Sequence, residues 1–142
     1  MFKNILTAID LNEESSWEKA VPTAVELCRS TGARLTLLTV IPDFGMSIVS
    51  QHFPKGYAES ALAETRTKLS VFASEHIPDG VEQSLLVSQG TIYEEIIKAG
   101  DKVSADLTVV AAHRPSLKDY LLGPNASRVV RHSKRSVLVI RD

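Results

Sequence analysis

The stretch Leu107-Thr108-Val109-Val110-Ala111-Ala112 is a nearly continuous apolar run that leads into a polar loop. A run of this kind, without strict alternation, is typical of a parallel β-strand that is covered on both faces. Four further β-compatible runs lie at residues 5–9, 34–41, 81–87 and 137–140. Together they predict five strands, and helical patterns separate each strand from the next.

The first helical pattern has two conflicting signals at its start. Ser15-Ser16-Trp17-Glu18 has the form of a capping box, which predicts Ser15 as the N-cap residue. Pro22 lacks a backbone N–H, so it predicts either a kink or a later start of the same helix. The spacing places Cys28 on the inward face, where we expect it to serve in core packing.

Three more helices follow from three- and four-residue spacing of apolar side chains. The second runs from about Tyr57 to His76, and the third opens at a capping box over residues 91–94. The fourth runs from about Asn125 to His132 and is expected to turn Val130 inward. Residues 42–56 have no regular pattern, and we interpret them as a lid, a partner surface or an extension of the core.

The element order β-α-β-α-β-α-β-α-β predicts an α/β fold. Alternating strands and helices imply a doubly wound five-stranded parallel sheet with helices on both faces. Right-handed crossovers favour the strand order 3-2-1-4-5, with the direction of winding reversing between strands 1 and 4. We expect residues 1–142 to form one domain, because this length is near the commonest domain size.

Composition excludes several functional classes. The 16 basic and 17 acidic residues give a net charge of -1, which argues against a protein built to bind nucleic acid. No apolar run approaches the ~20 residues that span a bilayer, so we expect no membrane segment. The N-terminus has no signal-peptide pattern, so we expect a cytoplasmic protein. The single cysteine and the spacing of the four histidines predict no metal site.

Ligands of open parallel sheets bind outside the carboxyl ends of the strands, where the winding reverses. After strand 4 the chain re-enters a helix through Gly123-Pro124-Asn125, and a helix N-terminus attracts anions. Gly123 permits close approach of a ligand, Pro124 suits a first helical turn, and Asn125 is a good cap. His113 and Arg114 add possible cationic donors. These residues favour a phosphate-binding loop and an ordinary βα connection about equally.

Several segments resemble the universal stress protein family, and in particular its F/G-type branch. The resemblance covers the whole chain and is most specific in the C-terminal third. The segments that carry it are Asn4-Ile5-Leu6-Thr7-Ala8-Ile9-Asp10, Leu38-Thr39-Val40-Ile41-Pro42, Val109-Val110-Ala111-Ala112-His113-Arg114-Pro115, Tyr120-Leu121-Leu122-Gly123-Pro124-Asn125-Ala126-Ser127-Arg128-Val129-Val130-Arg131-His132 and Ser136-Val137-Leu138-Val139-Ile140-Arg141.

The resemblance implies ATP as ligand, with Mg²⁺, where present, held by the phosphates. Three groups of residues would then contact the nucleotide. Those at the adenine and ribose end would be Asp10 and the backbone around Ala8 and Val40. Those lining the phosphate side would be Ala111, His113 and Arg114. Those closing over the phosphates would be Gly123, Pro124, Asn125 and Ala126.

The chain departs from the family's ATP-binding loop pattern, G-x2-G-x9-G-[S/T]. Ala111 and Arg114 stand at the first two glycines, and the spacer to Gly123 is one residue short. The F/G-type branch shares the shorter loop and includes ATP-binding members. Pro124 replaces the Ser or Thr and removes both a hydroxyl and an N–H donor, for which Asn125 is the candidate substitute.

The function that the resemblance implies is a dimeric, ATP-binding regulatory or stress-response module. No nucleophile–base pair is recognisable, so we predict no catalytic residue. A slow ATPase and a nucleotide-free interaction protein of the same fold stay open as alternatives. The apolar edge strand Val137–Ile140 predicts a homodimer, because an exposed edge of this kind is usually paired or covered. A phospho-receiver domain is excluded because the third strand ends Leu86-Val87-Ser88, without an aspartate.

Overall fold

The computed structural model of the chain describes residues 1–42, 56–112 and 123–141. The strands are β1 (Asn4–Ile9), β2 (Arg34–Pro42), β3 (Gln83–Gly90), β4 (Leu107–Ala111) and β5 (Ser136–Ile140). The α-helices are α1 (Ala20–Thr31), α2 (Tyr57–His76), α3 (Ile92–Lys102) and α4 (Gly123–His132). A short 3₁₀ helix, Glu14–Ser16, precedes α1.

The five strands form one parallel sheet in the order β3-β2-β1-β4-β5, which confirms the predicted fold. β1 is central, since Ile5 lies opposite Leu35 of β2 on one side and Leu107 of β4 on the other. All strands therefore end at the same edge of the sheet. The chain leaves β1 and β4 at neighbouring positions along that edge.

Alternate residues of β1 enter two separate apolar cores. Ile5 and Ile9 belong to a cluster formed with α1 and α2, whereas Leu6 and Ala8 belong to a cluster formed with α3 and α4. Both faces of the sheet are thus buried, as the nearly continuous apolar runs predict. Within the described ranges, no helix is both long and apolar enough to cross a bilayer.

The predicted capping box at Ser15 is wrong. α1 begins at Ala20, and its N-cap residue Lys19 makes no side-chain capping hydrogen bond. A helix that began at Ser16 would place Pro22 in its interior, where the missing N–H and the ring are costly. The later start puts Pro22 in the first turn, where the missing N–H removes no helical hydrogen bond.

Other predicted boundaries differ at their ends. β3 runs to Gly90 rather than Val87, because residues 88–90 continue the ladder opposite Val40–Pro42. Thr91 is the N-cap of α3 as predicted, but its side chain makes no capping bond. Val130, expected to face inward, is 51% exposed. The irregular stretch 42–56 falls almost entirely outside the described residues.

Cys28 lies on the buried face of α1 and is 3% exposed. Burial raises the pKa of its thiol from the ordinary 9.0 to about 11, because the thiolate is poorly solvated there. The contribution of the protonated thiol to stability is complete below pH 9 and declines as the pH rises towards 11.

We therefore expect Cys28 of the folded chain at pH 8 to react with a thiol reagent such as DTNB far more slowly than a free cysteine does. The control is the same chain in urea, where the reaction should proceed at the rate of an exposed thiol. Equal rates in the folded and unfolded chains would contradict the buried position of this side chain.

Candidate functional site

The candidate site lies at the carboxyl edge of the sheet, between β1 and β4. From β1 the chain crosses to α1 on one face, and from β4 it continues towards α4 on the other face. In open parallel sheets, connections that diverge in this way leave a crevice in which ligands bind, so this edge is the candidate site. Asp10 follows β1, Val40 lies near the end of β2, Ala111 ends β4, and Gly123 begins α4.

Asp10 lies in a tightly hydrogen-bonded turn. Its backbone N–H donates to the Ser16 hydroxyl oxygen at 2.9 Å. Its carbonyl accepts from that hydroxyl at 3.0 Å and from the Glu13 N–H at 3.0 Å. Its carboxylate Oδ1 accepts the Asn12 N–H at 3.0 Å, which forms an Asx turn. With both main-chain groups engaged, the side chain is the part of Asp10 that can contact a ligand.

The ends of β1 and β2 are joined by a buried side chain. Thr39 is 6% exposed, and its hydroxyl donates to the Ile9 carbonyl at 2.9 Å. Val40 is half-buried against the α3/α4 core, and Ala8 is 2% exposed in the same core. The predicted adenine side of the crevice is therefore apolar beneath and rigid at its rim.

A second polar group lies on this face of the sheet. Ser88 is the register partner of Val40, and its hydroxyl oxygen is buried. That oxygen makes no hydrogen bond within the part of the chain that the structure describes. A buried hydroxyl in this state is costly, by roughly 1–3 kcal/mol. The sequence predicts Ser88 just after the third strand, at the edge where ligands of such sheets bind, but it assigns no role to this residue, because a single serine is not by itself a functional signal.

The N-terminus of α4 is connected to the N-terminus of α3. Asn125 is 7% exposed, and its side-chain oxygen accepts the backbone N–H of Tyr93 at 3.0 Å. Tyr93 is the second residue of α3, so its N–H has no partner within the helix. Asn125 thus caps the neighbouring helix α3. The sequence had predicted that Asn125 would cap its own helix, but α4 begins two residues earlier, at Gly123.

Aromatic contacts reinforce the pairing of α3 and α4. The Arg128 guanidinium carbon lies 5.6 Å from the centre of the Tyr93 ring, and the His132 ring centre lies 5.7 Å from it. Pro124 is exposed and Ala126 is buried. This arrangement orients the first turn of α4, which is the part of the helix expected to face an anion.

The structure brings some of the predicted residues together and leaves others undescribed. Asp10 directly follows β1, and Ala111 is the last residue of β4. Both residues and the start of α4 lie at the same edge of the sheet. His113 and Arg114 lie outside the described residues. Across the described ranges, no three histidine, cysteine or acidic side chains are grouped so that they would hold a metal ion.

A cavity of about 140 Å³ lies elsewhere, near the C-termini of α3 and α4. Arg135 lines it and donates to the Ala105 carbonyl and, at 3.1 Å, to Asp101 Oδ1. The arginine thus links the loop before β5 to the last turn of α3 and to the loop before β4. The packing of the loop between α4 and β5 explains why Arg135 lies at this cavity.

Comparison with known proteins gives a consistent result. The universal stress protein family profile matches residues 1–141. Universal stress protein G of Escherichia coli O157:H7 is 30% identical over 145 residues, and the alignment covers 99% of this chain and 100% of that protein. The structure of a hypothetical protein, solved to assign its biochemical function, has a TM-score of 0.81 at 24% identity, covering 100% of this chain and 97% of that one.

Two similar structures contain nucleotides. A universal stress protein in complex with cAMP has a TM-score of 0.61 at 22% identity, with coverage of 99% of this chain and 97% of that one. The universal stress protein from Archaeoglobus fulgidus in complex with dAMP has a TM-score of 0.60 at 18% identity, with coverage of 97% of both chains. At these identities the likeness shows the fold.

The bond between Asn125 and Tyr93 can be tested by its effect on stability. Substitution Asn125→Ala leaves the Tyr93 N–H without its acceptor, so we expect the free energy of unfolding to fall by about 1–2 kcal/mol in urea denaturation. Asn125→Asp retains an acceptor oxygen at the same place, so its free energy of unfolding should fall by less. Ser127→Ala, an exposed change in the same helix, should have little effect. An Asn125→Ala chain as stable as the parent would contradict the assigned contact.

Proposed function

Since the chain belongs to the universal stress protein family, we propose that it is a regulatory module that binds an adenine nucleotide, with ATP as the preferred ligand. The site is the crevice between the exits of β1 and β4. The observation that carries the proposal is that the Asp10 turn, the end of β4 and the first turn of α4 lie at one edge of the sheet. One end suits a ribose and the other suits phosphate.

The nucleoside end has the chemistry that adenosine requires. A carboxylate accepts hydrogen bonds from ribose hydroxyls, and the Asp10 side chain is directed by its own Asx turn. The half-buried Val40 supplies an apolar contact for a base.

The phosphate end relies on main-chain groups. N–H groups of the first turn of α4 point away from the helix towards its start, and the helix dipole favours negative charge there. Arg141, which directly follows β5 at the same edge of the sheet, adds positive charge on this side. Pro124 contributes no N–H, which removes one donor from the turn.

The nucleotides seen in similar proteins support an adenine ligand. The ligands of the two nucleotide complexes, cAMP and dAMP, share the adenine base and a single phosphorus. The adenine that they share is the part that the nucleoside end of the proposed crevice would hold. The preference for ATP rests on the α4 terminus and on the loop resemblance. The second candidate function is that of an interaction protein that binds no nucleotide. The absence of a backbone N–H at Pro124 favours it, because the phosphate end then has one donor fewer.

Calorimetric titration with ATP, ADP and AMP, with and without magnesium, tests the proposal. We expect ATP to bind most tightly, and Asp10→Ala to weaken binding about tenfold or more, because hydrogen bonds to a charged group contribute roughly 1.5–3 kcal/mol. Gly123→Val should weaken ATP more than AMP, because a side chain there obstructs phosphate approach.

Asp79→Ala is the matched control, since this exposed aspartate precedes β3 at the opposite edge of the sheet. It should bind like the parent. If Asp10→Ala and Gly123→Val also bind like the parent, the site is wrong. If the unmodified chain binds none of the three nucleotides, the second candidate function is correct.

We also propose that the module is a homodimer formed through β5. This strand lies at the edge of the sheet, and its Val137, Leu138, Val139 and Ile140 are only partly buried. Pairing of the two β5 strands about a two-fold axis would cover these side chains. It would also provide hydrogen-bond partners for the backbone N–H and C=O groups at the edge of the sheet.

Sedimentation velocity over a range of micromolar concentrations tests this assembly. We expect twice the monomer mass of 15.5 kDa, with dissociation only on dilution. A chain that sediments as a monomer throughout this range would overturn the proposed β5 interface and leave the nucleotide site unaffected.

A further inference from the structure

Resting on the proposed nucleotide site, we infer that Ser16 is a positioning residue that fixes the direction of the Asp10 carboxylate. Ser16 is 1% exposed, so its hydroxyl does not itself reach a ligand. It acts through the turn that connects β1 to the 3₁₀ helix. None of the sequence motifs assigned it this role.

The Ser16 hydroxyl bonds both main-chain groups of Asp10. It accepts the Asp10 N–H at 2.9 Å, and its one proton is shared between two acceptors, the Asp10 carbonyl at 3.0 Å and the Glu13 carbonyl at 2.7 Å. One side chain therefore closes the segment 10–16 into a loop. Few arrangements of the Asp10 backbone satisfy all these contacts at once.

The fixed backbone in turn restricts the side chain of Asp10. The carboxylate accepts the Asn12 N–H, and the Glu13 N–H bonds back to the Asp10 carbonyl. These bonds hold the carboxylate in one orientation before any ligand arrives. A ligand group that bonds the carboxylate then avoids much of the conformational entropy cost of ordering it.

The other end of the loop is anchored by packing. Trp17 follows Ser16 directly, and its ring centre lies 5.1 Å from that of Phe72 and 4.8 Å from that of His76, both on α2. The turn is thus held between the end of β1 and a helix of the α1/α2 core. Loss of the Ser16 hydroxyl should loosen the Asp10 side of the turn and leave the Trp17 contacts in place.

The chain provides a matched control in Ser133. Its hydroxyl also bonds both main-chain groups of one residue, accepting the Arg135 N–H at 3.1 Å and donating to the Arg135 carbonyl at 3.4 Å. This turn precedes β5 and so lies at the opposite edge of the sheet. Ser133→Ala removes the same kind of contact without touching the crevice.

A double-mutant cycle on adenosine and ATP binding tests the inference. We expect Ser16→Ala to weaken both ligands by a similar factor, about tenfold, because the effect is confined to the nucleoside end. In an Asp10→Ala background the same change should alter affinity less than twofold, since there is no carboxylate left to position. Ser133→Ala should reduce stability without altering affinity.

Hydrogen exchange provides a readout without ligand. The amides of Asp10 and Asn12 should exchange faster in Ser16→Ala than in the parent, while amides of β4 keep their protection. Ser16→Cys, which keeps a weakly bonding group in place of the hydroxyl, is the second variant if Ser16→Ala does not fold, and it should show the same pattern at smaller amplitude.

The outcomes separate this inference from the proposed function. If Asp10→Ala weakens ATP binding and Ser16→Ala and Ser16→Cys do not, the positioning role is overturned and the site remains. If the two substitutions weaken binding additively, Ser16 acts on general stability and the inference is overturned. A parent chain that binds neither adenosine nor ATP overturns the proposed function, and the positioning role with it.

Discussion

The central position of β1 is the constraint on which the rest of the molecule depends. This strand pairs with β2 on one side and β4 on the other, and its side chains alternate between two buried cores. A strand buried on all sides can end only where a loop reaches solvent, at the edge of the sheet. Asp10 is the first residue beyond that point, so its place is set by the packing of the whole sheet.

Much of the fold follows from the apolar runs, but several local details do not. The strand order was predictable because short right-handed crossovers leave few alternatives. The start of α1 was not, because Ser15 and Pro22 give opposite signals and only the penalty for an interior proline decides between them. The prediction that Val130 faces inward was wrong because α4 has only ten residues. In so short a helix, the spacing of apolar side chains does not fix how far the helix is rotated about its axis.

The sequence predicts where a candidate site would lie, but it does not predict the contacts that its residues make. The rule for open parallel sheets places a ligand near Asp10 and Gly123 without any knowledge of side-chain geometry. That rule does not reveal that Asn125 bonds Tyr93 or that Ser16 bonds Asp10, because both pairings depend on where neighbouring elements begin. A serine or asparagine near a helix start has several possible partners, and the sequence alone does not choose between them.

The two ends of the proposed site are held in place by different hydrogen bonds, and this difference determines which end Pro124 affects. The Asp10 turn is fixed by a local network whose members lie within seven residues. The start of α4 is fixed by a bond to another helix, 32 residues away in sequence. A proline in the first turn costs a donor but no helical hydrogen bond, so α4 keeps its position and its remaining N–H groups. In the proposed site, the loss at Pro124 would therefore affect contacts with phosphate and leave the nucleoside end intact.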